Sequence, residues 1–466
     1  MRCEDIGVRG GRGSVPTAGL PASMTRERWR RAEWRAISRT NGHLAGTADL
    51  GGDNTMSRFE QQPEKTGDGV SRRDFLRIGA TYGMTATLGA AAALGTGYTP
   101  HALAQTAGRI AEQRERGSAM HTLRLGMVYG DPQHDIQRVG VWDFVRDLED
   151  RTDGAIRVEV TGAGALCSET SCVQQSLQGV VDLAVSSTQN GASVAPWMNA
   201  LDFPFMFQSS GQIYDFLFNP ESERVFRSVL RERHGLELLF STAELRGVLM
   251  GSTYADRPAI TSLADLSGAR IRATATQFGQ TALKLMGMNP LPVAWSETLD
   301  AMRSGLVDGM ETWAGAAAAF NMAPVVSKIV ALGFIPGTEA TMLRTETFNK
   351  LEPDLQAALM ESAYLAQQVV MYNFSAARHS IIGDVPDRGG DTIFARSGTE
   401  LNVPSAEFMA EAMAAADPGH SDYDALKDRL GQMAGFDVHS EIEPVARRFP
   451  ADELAINVVP RRWWRS

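Results

Sequence analysis

The 466-residue chain contains only three cysteines, and its eight histidines are scattered rather than paired at ligand spacing. So few cysteines exclude a disulfide-rich scaffold, and the scattered histidines leave no metal-spaced pair. No nucleophile-elbow motif and no phosphate-cradling glycine-rich loop occurs, so the usual constellations of an enzyme are missing. Basic excess is missing too: 45 Lys and Arg against 55 Asp and Glu leave a formal charge of -10. That balance excludes the clustered basic surface a nucleic-acid partner needs, although a few arginines in a cleft can still attract a small anion. The chain also lacks a strong membrane span. Its most apolar N-terminal stretch, to about Leu94, is broken by Gly79, Gly83, Gly89 and Gly95 and is poor in Leu, Ile and Val.

What is present is a soluble globular composition, 43% hydrophobic and 21% charged, long enough for two domains. Residues 1–55 are rich in Arg and Gly and lack apolar periodicity, so residues 1–70 are expected as a disordered or misassigned extension. Residues 71–104 carry Ser71-Arg72-Arg73-Asp74-Phe75-Leu76-Arg77, a modest apolar stretch, and Ala102-Leu103-Ala104. Arginine pair, apolar stretch and small-x-small site, in that order, are expected to form a twin-arginine export signal cleaved near Ala104, with an N-terminal membrane anchor as the alternative. Translation is then expected to start at Met56, and the mature protein at Gln105, in the periplasm.

Cys167 and Cys172, five residues apart, would meet an oxidising compartment. Two helical residues at that spacing lie too far apart to bridge, so a disulfide requires Cys167 to precede the helix; two free thiols are the alternative. From His121 onward strands and helices alternate. Leu123, Leu125 and Met127 alternate with polar residues; Val141, Phe144, Val145 and Leu148 recur at helical spacing; Ile156, Val158 and Val160 alternate again. A helix from about Glu169 to Gly179, capped by Ser168 or Ser171, precedes a strand at Val181–Ser186. The pattern restarts after Pro258 with strands at Ile271–Ala273 and Leu291–Val293 and a helix that Ser296 can cap. Residues 354–382 hold no Gly or Pro and predict one long helix across both lobes. The expected class is α/β, two lobes around a ligand cleft, with a mainly parallel sheet. Lobe one spans 121–246 plus 338–370, lobe two 247–337 plus 371–425, and 426–466 is a docked or frayed C-terminal tail.

Two stretches carry the chemistry. In Gly268-Ala269-Arg270-Ile271-Arg272, the two arginines share one face of a strand. An arginine at a strand end offers a planar fork matched to a carboxylate, the bland alternative being an exposed surface pair. In Asp308-Gly309-Met310-Glu311-Thr312-Trp313, the Asp-Gly step marks a turn that presents Glu311, Thr312 and Trp313 together. Trp295 and Trp313 can cover the apolar part of a ligand or be core residues.

These stretches resemble the DctP family, the solute-binding proteins of TRAP transporters. The likeness rests on Gly268 to Arg272, Gly287 to Pro290, Trp295-Ser296-Glu297 and Asp308-Gly309-Met310-Glu311, in the family's order. Leu201-Asp202-Phe203-Pro204-Phe205-Met206-Phe207 and Phe348-Asn349-Lys350-Leu351 with Gln356 add to it, over roughly residues 121–420. The resemblance implies a periplasmic binding protein, not an enzyme, that captures a small organic acid by lobe closure and delivers it to membrane permease subunits. It implies no cofactor; a metal ion is known only in some members. Arg272 then matches the principal carboxylate-binding arginine, Arg246 a second arginine near the ligand, and Trp295 an aromatic cover. Thr312 stands where some members have Asn, a departure, and Trp313 is similar to a branch with Glu-Trp. Glu311, Gln189 and Tyr129 join the candidate ligand-binding set, with Asn190 and His134 weaker. The tryptophans and the small residues 314–319 hint at an apolar or aromatic acid over a sugar acid. A sensor module for a membrane receptor and the binding protein of an ABC transporter remain as alternatives.

Overall fold

The computed structural model describes residues 119–129, 140–381 and 391–465. The extension, the export signal with its cleavage site, the start at Met56, and His134 lie outside the described residues.

Strand β1 (His121–Gly126) buries Leu123 and Leu125 and exposes Arg124. The helix Val141–Arg151 turns Val141, Phe144, Val145 and Leu148 inward and leads to β2 (Ile156–Thr161), parallel to β1. Strand β3 (Leu183–Ser187) is buried at every position because it lies centrally, parallel to β1 on one side and antiparallel to β10 (Glu339–Arg344) on the other. With β4 (Leu236–Ser241) at the far edge, the first sheet runs β2-β1-β3-β10-β4.

The chain then crosses to a second sheet at Thr242-Ala243, ahead of the boundary at Arg246 expected from sequence. That sheet runs β11-β9-β5-β8-β6-β7 and comprises β5 (Glu244–Met250), β6 (Arg270–Ala273), β7 (Asn289–Pro292), β8 (Gly309–Thr312), β9 (Lys328–Gly337) and β11 (Glu400–Asn402). Only Thr338 separates β9 from β10, so the chain recrosses there between the sheets. The result is a two-lobed α/β fold with a cleft between the lobes. Its sheets are mixed rather than mainly parallel, because β4–β5 and β9–β10 lead straight across the cleft and return antiparallel to their neighbours.

The long helix covers Pro353–Ile381, about 44 Å at 1.5 Å per residue. Its Leu359, Ala363, Ala366 and Val370 enter the first-lobe core, Phe374 packs with Trp313 and Ala316, and Ile381 joins a second-lobe cluster. Residues 426–465 dock on the first lobe. Helices Asp424–Ala434 and Val438–Ala446 place Leu430, Val438, Ile442 and Val445 in the first-lobe core, and Trp463 is buried under the Arg227 guanidinium, 4.3 Å from its ring.

Five local expectations change. The helix after Cys167 starts only at Cys172, and the Ser171 hydroxyl accepts from the Ser168 N–H instead of capping it. The following strand starts at Leu183, since Val181 packs with the cystine. Ser296 does not cap: residues Trp295–Glu297 form a 3-10 turn with Glu297 at the cap position and no side-chain cap bond. Strand β7 begins at Asn289 and includes Pro290 and Pro292, tolerated because it is the sheet edge. The Asp308-Gly309 step opens β8 directly, and Asp308 pairs with Arg270 at 2.7 Å.

Candidate ligand-binding site

Arg272 sits in β6 between Leu291 of β7 and Met310 of β8 and is 1% exposed. Arg270, two residues earlier, is at the solvent-facing start of the strand and is taken by Asp308. The Arg272 Nε donates to the Val293 carbonyl at 3.0 Å, Nη1 has no partner, and the guanidinium lies 5.1 Å from the Trp295 ring centre. Among the described residues no carboxylate lies within ion-pair distance of it. Burial, the largest effect, pulls its pKa down to about 10, which leaves it charged at neutral pH.

Arg246, in β5, is differently placed. Its Nη1 donates to Glu311 at 2.7 Å and its Nη2 to the Gln189 side-chain oxygen at 3.2 Å. The guanidinium lies 4.4 Å from the Trp313 ring centre. Glu311 also accepts from the N–H and hydroxyl of Thr274, both at 3.2 Å. Gln189 in turn donates to Asp202 at 2.5 Å. Burial pushes the Asp202 carboxyl up to about 7, against the lowering effect of its bonds to Thr276 and Gln189. Arg246 is thus neutralised within the protein, and Arg272 is not.

Two carboxyls that the sequence reading passed over face the same space. Glu169 lies in the loop closed by the Cys167–Cys172 disulfide, whose Cα atoms are 4.8 Å apart with Cys167 ahead of the helix. Its Oε1 accepts from the Ser187 N–H at 2.7 Å and from the Asn190 amide at 3.3 Å, while Oε2 has no partner. Glu339 is the first residue of β10, just past the crossover at Thr338. Its Oε1 is unpartnered, and burial together with the neighbouring Glu169 charge holds its pKa well above the usual carboxylate range.

One cavity of about 20 Å³ is lined by Tyr129, Glu169, Ser187, Asn190, Arg246, Arg272, Thr274, Trp295, Thr312, Trp313, Ala316 and Glu339. It therefore gathers Arg272, Arg246, Trp295, Thr312, Trp313 and Tyr129 of the expected set, with Asn190. Glu311 and Gln189 stand behind Arg246 and hold it rather than line the space. The hint of an apolar or aromatic ligand fits poorly: each tryptophan face already carries a guanidinium, and two buried carboxyls add polarity. Among the described residues no group of three or more His, Cys, Asp or Glu could hold a metal ion. Glu339 carried a faint signal in sequence, a lone acid inside the buried apolar run from Phe334 to Leu343. Glu169 carried none beyond its place between the cysteines.

Comparison with known proteins agrees on one family. The profile of DctP, bacterial extracellular solute-binding protein, family 7, matches residues 127–423. The 2,3-diketo-L-gulonate-binding periplasmic protein of Escherichia coli K12 is 24% identical over 275 residues, 59% of this chain and 81% of that protein. Among solved structures, a TRAP periplasmic solute-binding protein from Sulfitobacter sp. NAS-14.1 with bound β-D-galacturonate superposes with a TM-score of 0.57. It is 19% identical and covers 68% of this chain and 99% of its own. A TRAP periplasmic solute-binding protein from Ralstonia eutropha H16 with bound (S)-2-acetolactate gives 0.58 at 18% identity, covering 70% and 99%.

Proposed function

We propose, since this chain belongs to the DctP family, family 7 of the bacterial extracellular solute-binding proteins, that it captures a small organic acid for a TRAP permease and holds its carboxylate on Arg272. The family is one of binding proteins, not enzymes. The observation that carries the reading is the buried, charged Arg272 without a counterion, facing a cleft between two lobes. A buried unpaired charge is costly, and a ligand carboxylate offsets that cost through a bidentate pair. Trp295 covers the guanidinium, and Tyr129, Thr312, Trp313 and Asn190 complete the walls. Glu311 and Gln189 keep Arg246 in place. The relatives named above bind or contain a sugar acid or a hydroxy-keto acid, and a ligand of that class is the reading for this chain as well. In this account an export signal of the twin-arginine type carries the protein to the periplasm, where it meets the membrane subunits.

Thermal unfolding of the chain from Gln105 against organic acids, neutral sugars and amino acids tests the reading. Saturation at 100–1,000 times the dissociation constant adds about 2.7–4.1 kcal/mol of stability. The expected result is a rise of roughly 4–6 °C with one class of acid and none with neutral solutes. A rise with neutral sugars alone overturns it.

A further inference from the structure

The unpartnered polar atoms of the cavity residues have a specific composition. Three are donors: Arg272 Nη1, Arg246 Nε and Trp313 Nε1. Two are acceptors: Glu169 Oε2 and Glu339 Oε1. Buried polar groups are almost always satisfied, so a ligand that fits this site must complete both sets. A bare carboxylate supplies acceptors only. It would satisfy the arginine side and leave two carboxyl oxygens buried without a donor. About 20 Å³ admits about one water, too few to satisfy both carboxyls in the ligand's place.

We infer that Glu339, with Glu169 beside it, is a specificity-determining residue that restricts the ligand to acids carrying hydroxyl groups opposite the carboxylate. The inference rests on the carboxylate-binding reading of Arg272 and adds the second pole of the site. Three placements support it. Glu339 lies at the crossover, where its N–H donates to the Thr242 hydroxyl at 3.0 Å and the Thr242 N–H donates to its carbonyl at 3.1 Å, so its backbone is fixed. Glu169 is fixed by the disulfide-closed loop and by Ser187 and Asn190. The two acids belong to the first lobe, whereas Arg272, Trp295 and Trp313 belong to the second. A ligand with a carboxylate at one end and hydroxyls at the other therefore bridges the lobes.

Hydroxyls are favoured over an ammonium. Two neighbouring carboxyls in a buried space resist simultaneous ionisation, and burial together with the Glu169 charge shifts Glu339 toward its protonated form. A protonated carboxyl needs an acceptor as well as a donor, which a hydroxyl supplies and an ammonium does not.

The experiment is calorimetric titration of the chain from Gln105 with a set of C4–C6 sugar acids including galacturonate. Hexanoate (carboxylate alone), 6-aminohexanoate (carboxylate and ammonium) and galactose (hydroxyls alone) run alongside. The expected result is binding of at least one sugar acid about 100-fold or more tighter than hexanoate or 6-aminohexanoate, since a site built for hydroxyls rejects analogues lacking them. In Glu339→Leu that preference should collapse to about ten-fold or less, while Glu339→Gln, which keeps an acceptor and gains a donor, retains part of it. Equal binding of hexanoate, tighter binding of 6-aminohexanoate, or an undiminished preference in Glu339→Leu overturns this inference and leaves the carboxylate reading standing. Binding of galactose with no acid bound overturns the carboxylate reading itself. Binding of none of these compounds overturns both.

Discussion

Two arginines, both 1% exposed, behave oppositely because one has a carboxylate and the other does not. Breaking the Arg246–Glu311 pair strands a buried charge, so Glu311→Gln should destabilise the ligand-free protein by roughly 3–5 kcal/mol in denaturant unfolding. Arg272 has no such partner to strand. Arg272→Met replaces an unpaired buried cation by an apolar chain of similar length, so the same measurement should show unchanged or higher stability while acid binding is lost. A large loss of stability in Arg272→Met would mean that the arginine is structural. Asp202 adds a pH dependence. Its folded pKa of about 7 exceeds the ordinary 3.8, so the folded state holds the extra proton between those values. Stability therefore falls as pH rises from about 4 to 7, and the high-pH side bears the full cost of a buried charge. Glu339, raised in the same direction, acts with the same sign. Asp202→Asn should flatten the decline in melting temperature between pH 5 and pH 8, and an unaltered slope would exclude Asp202 as a source.

Most elements were legible in the sequence because their apolar spacing is regular. Strand β1, its crossover helix, β2, β6 and the long helix follow directly from period and composition. What the pattern could not show depended on neighbours distant in sequence. Strand β7 hides behind two prolines that only an edge position permits, and the C-terminal helices look like a tail until Trp463 finds Arg227. Site residues divide the same way. Arg272 and Trp295 sit in recognisable motifs, whereas Glu339 comes from a crossover whose partner, Thr242, is 97 residues away. Two element-scale predictions follow from this packing. The Cys167–Cys172 disulfide closes a short loop, for which chain entropy gives about 2 kcal/mol. A Cys167→Ser, Cys172→Ser double variant should lose about that much stability and, by loosening Glu169, part of its preference for hydroxyl-bearing acids; a loss of stability with the preference intact would mean Glu169 is held without the bridge. Gly337 is constrained by contact: a Cβ there would lie 2.5 Å from the Trp313 ring. Gly337→Ala should therefore displace Trp313, detectable as a change in tryptophan emission, and weaken ligand binding.

At the scale of the whole molecule, the cavity between the lobes, at about 20 Å³, is far smaller than any C4–C6 acid. Ligand entry requires the lobes to part, with the chain bending where β4 meets β5 and β9 meets β10. The Thr188–Thr338 hydroxyl bond at 2.5 Å and the paired Thr242–Glu339 bonds tie those crossovers to the first lobe. The long helix, whose ends pack in different lobes, limits how far they separate. On the proposed reading, a bound acid sets its carboxylate against Arg272 of the second lobe and its hydroxyls against the first, and so stabilises the closed form.

The most direct test is calorimetric titration of the wild-type chain and Arg272→Ala with the acid that gives the largest thermal shift. Removing one partner of a desolvated charge pair costs roughly 2–5 kcal/mol. The account predicts binding weakened about thirty-fold to a few thousand-fold, with Arg272→Lys also weakened because the planar fork is lost. Wild-type affinity in Arg272→Ala would contradict it.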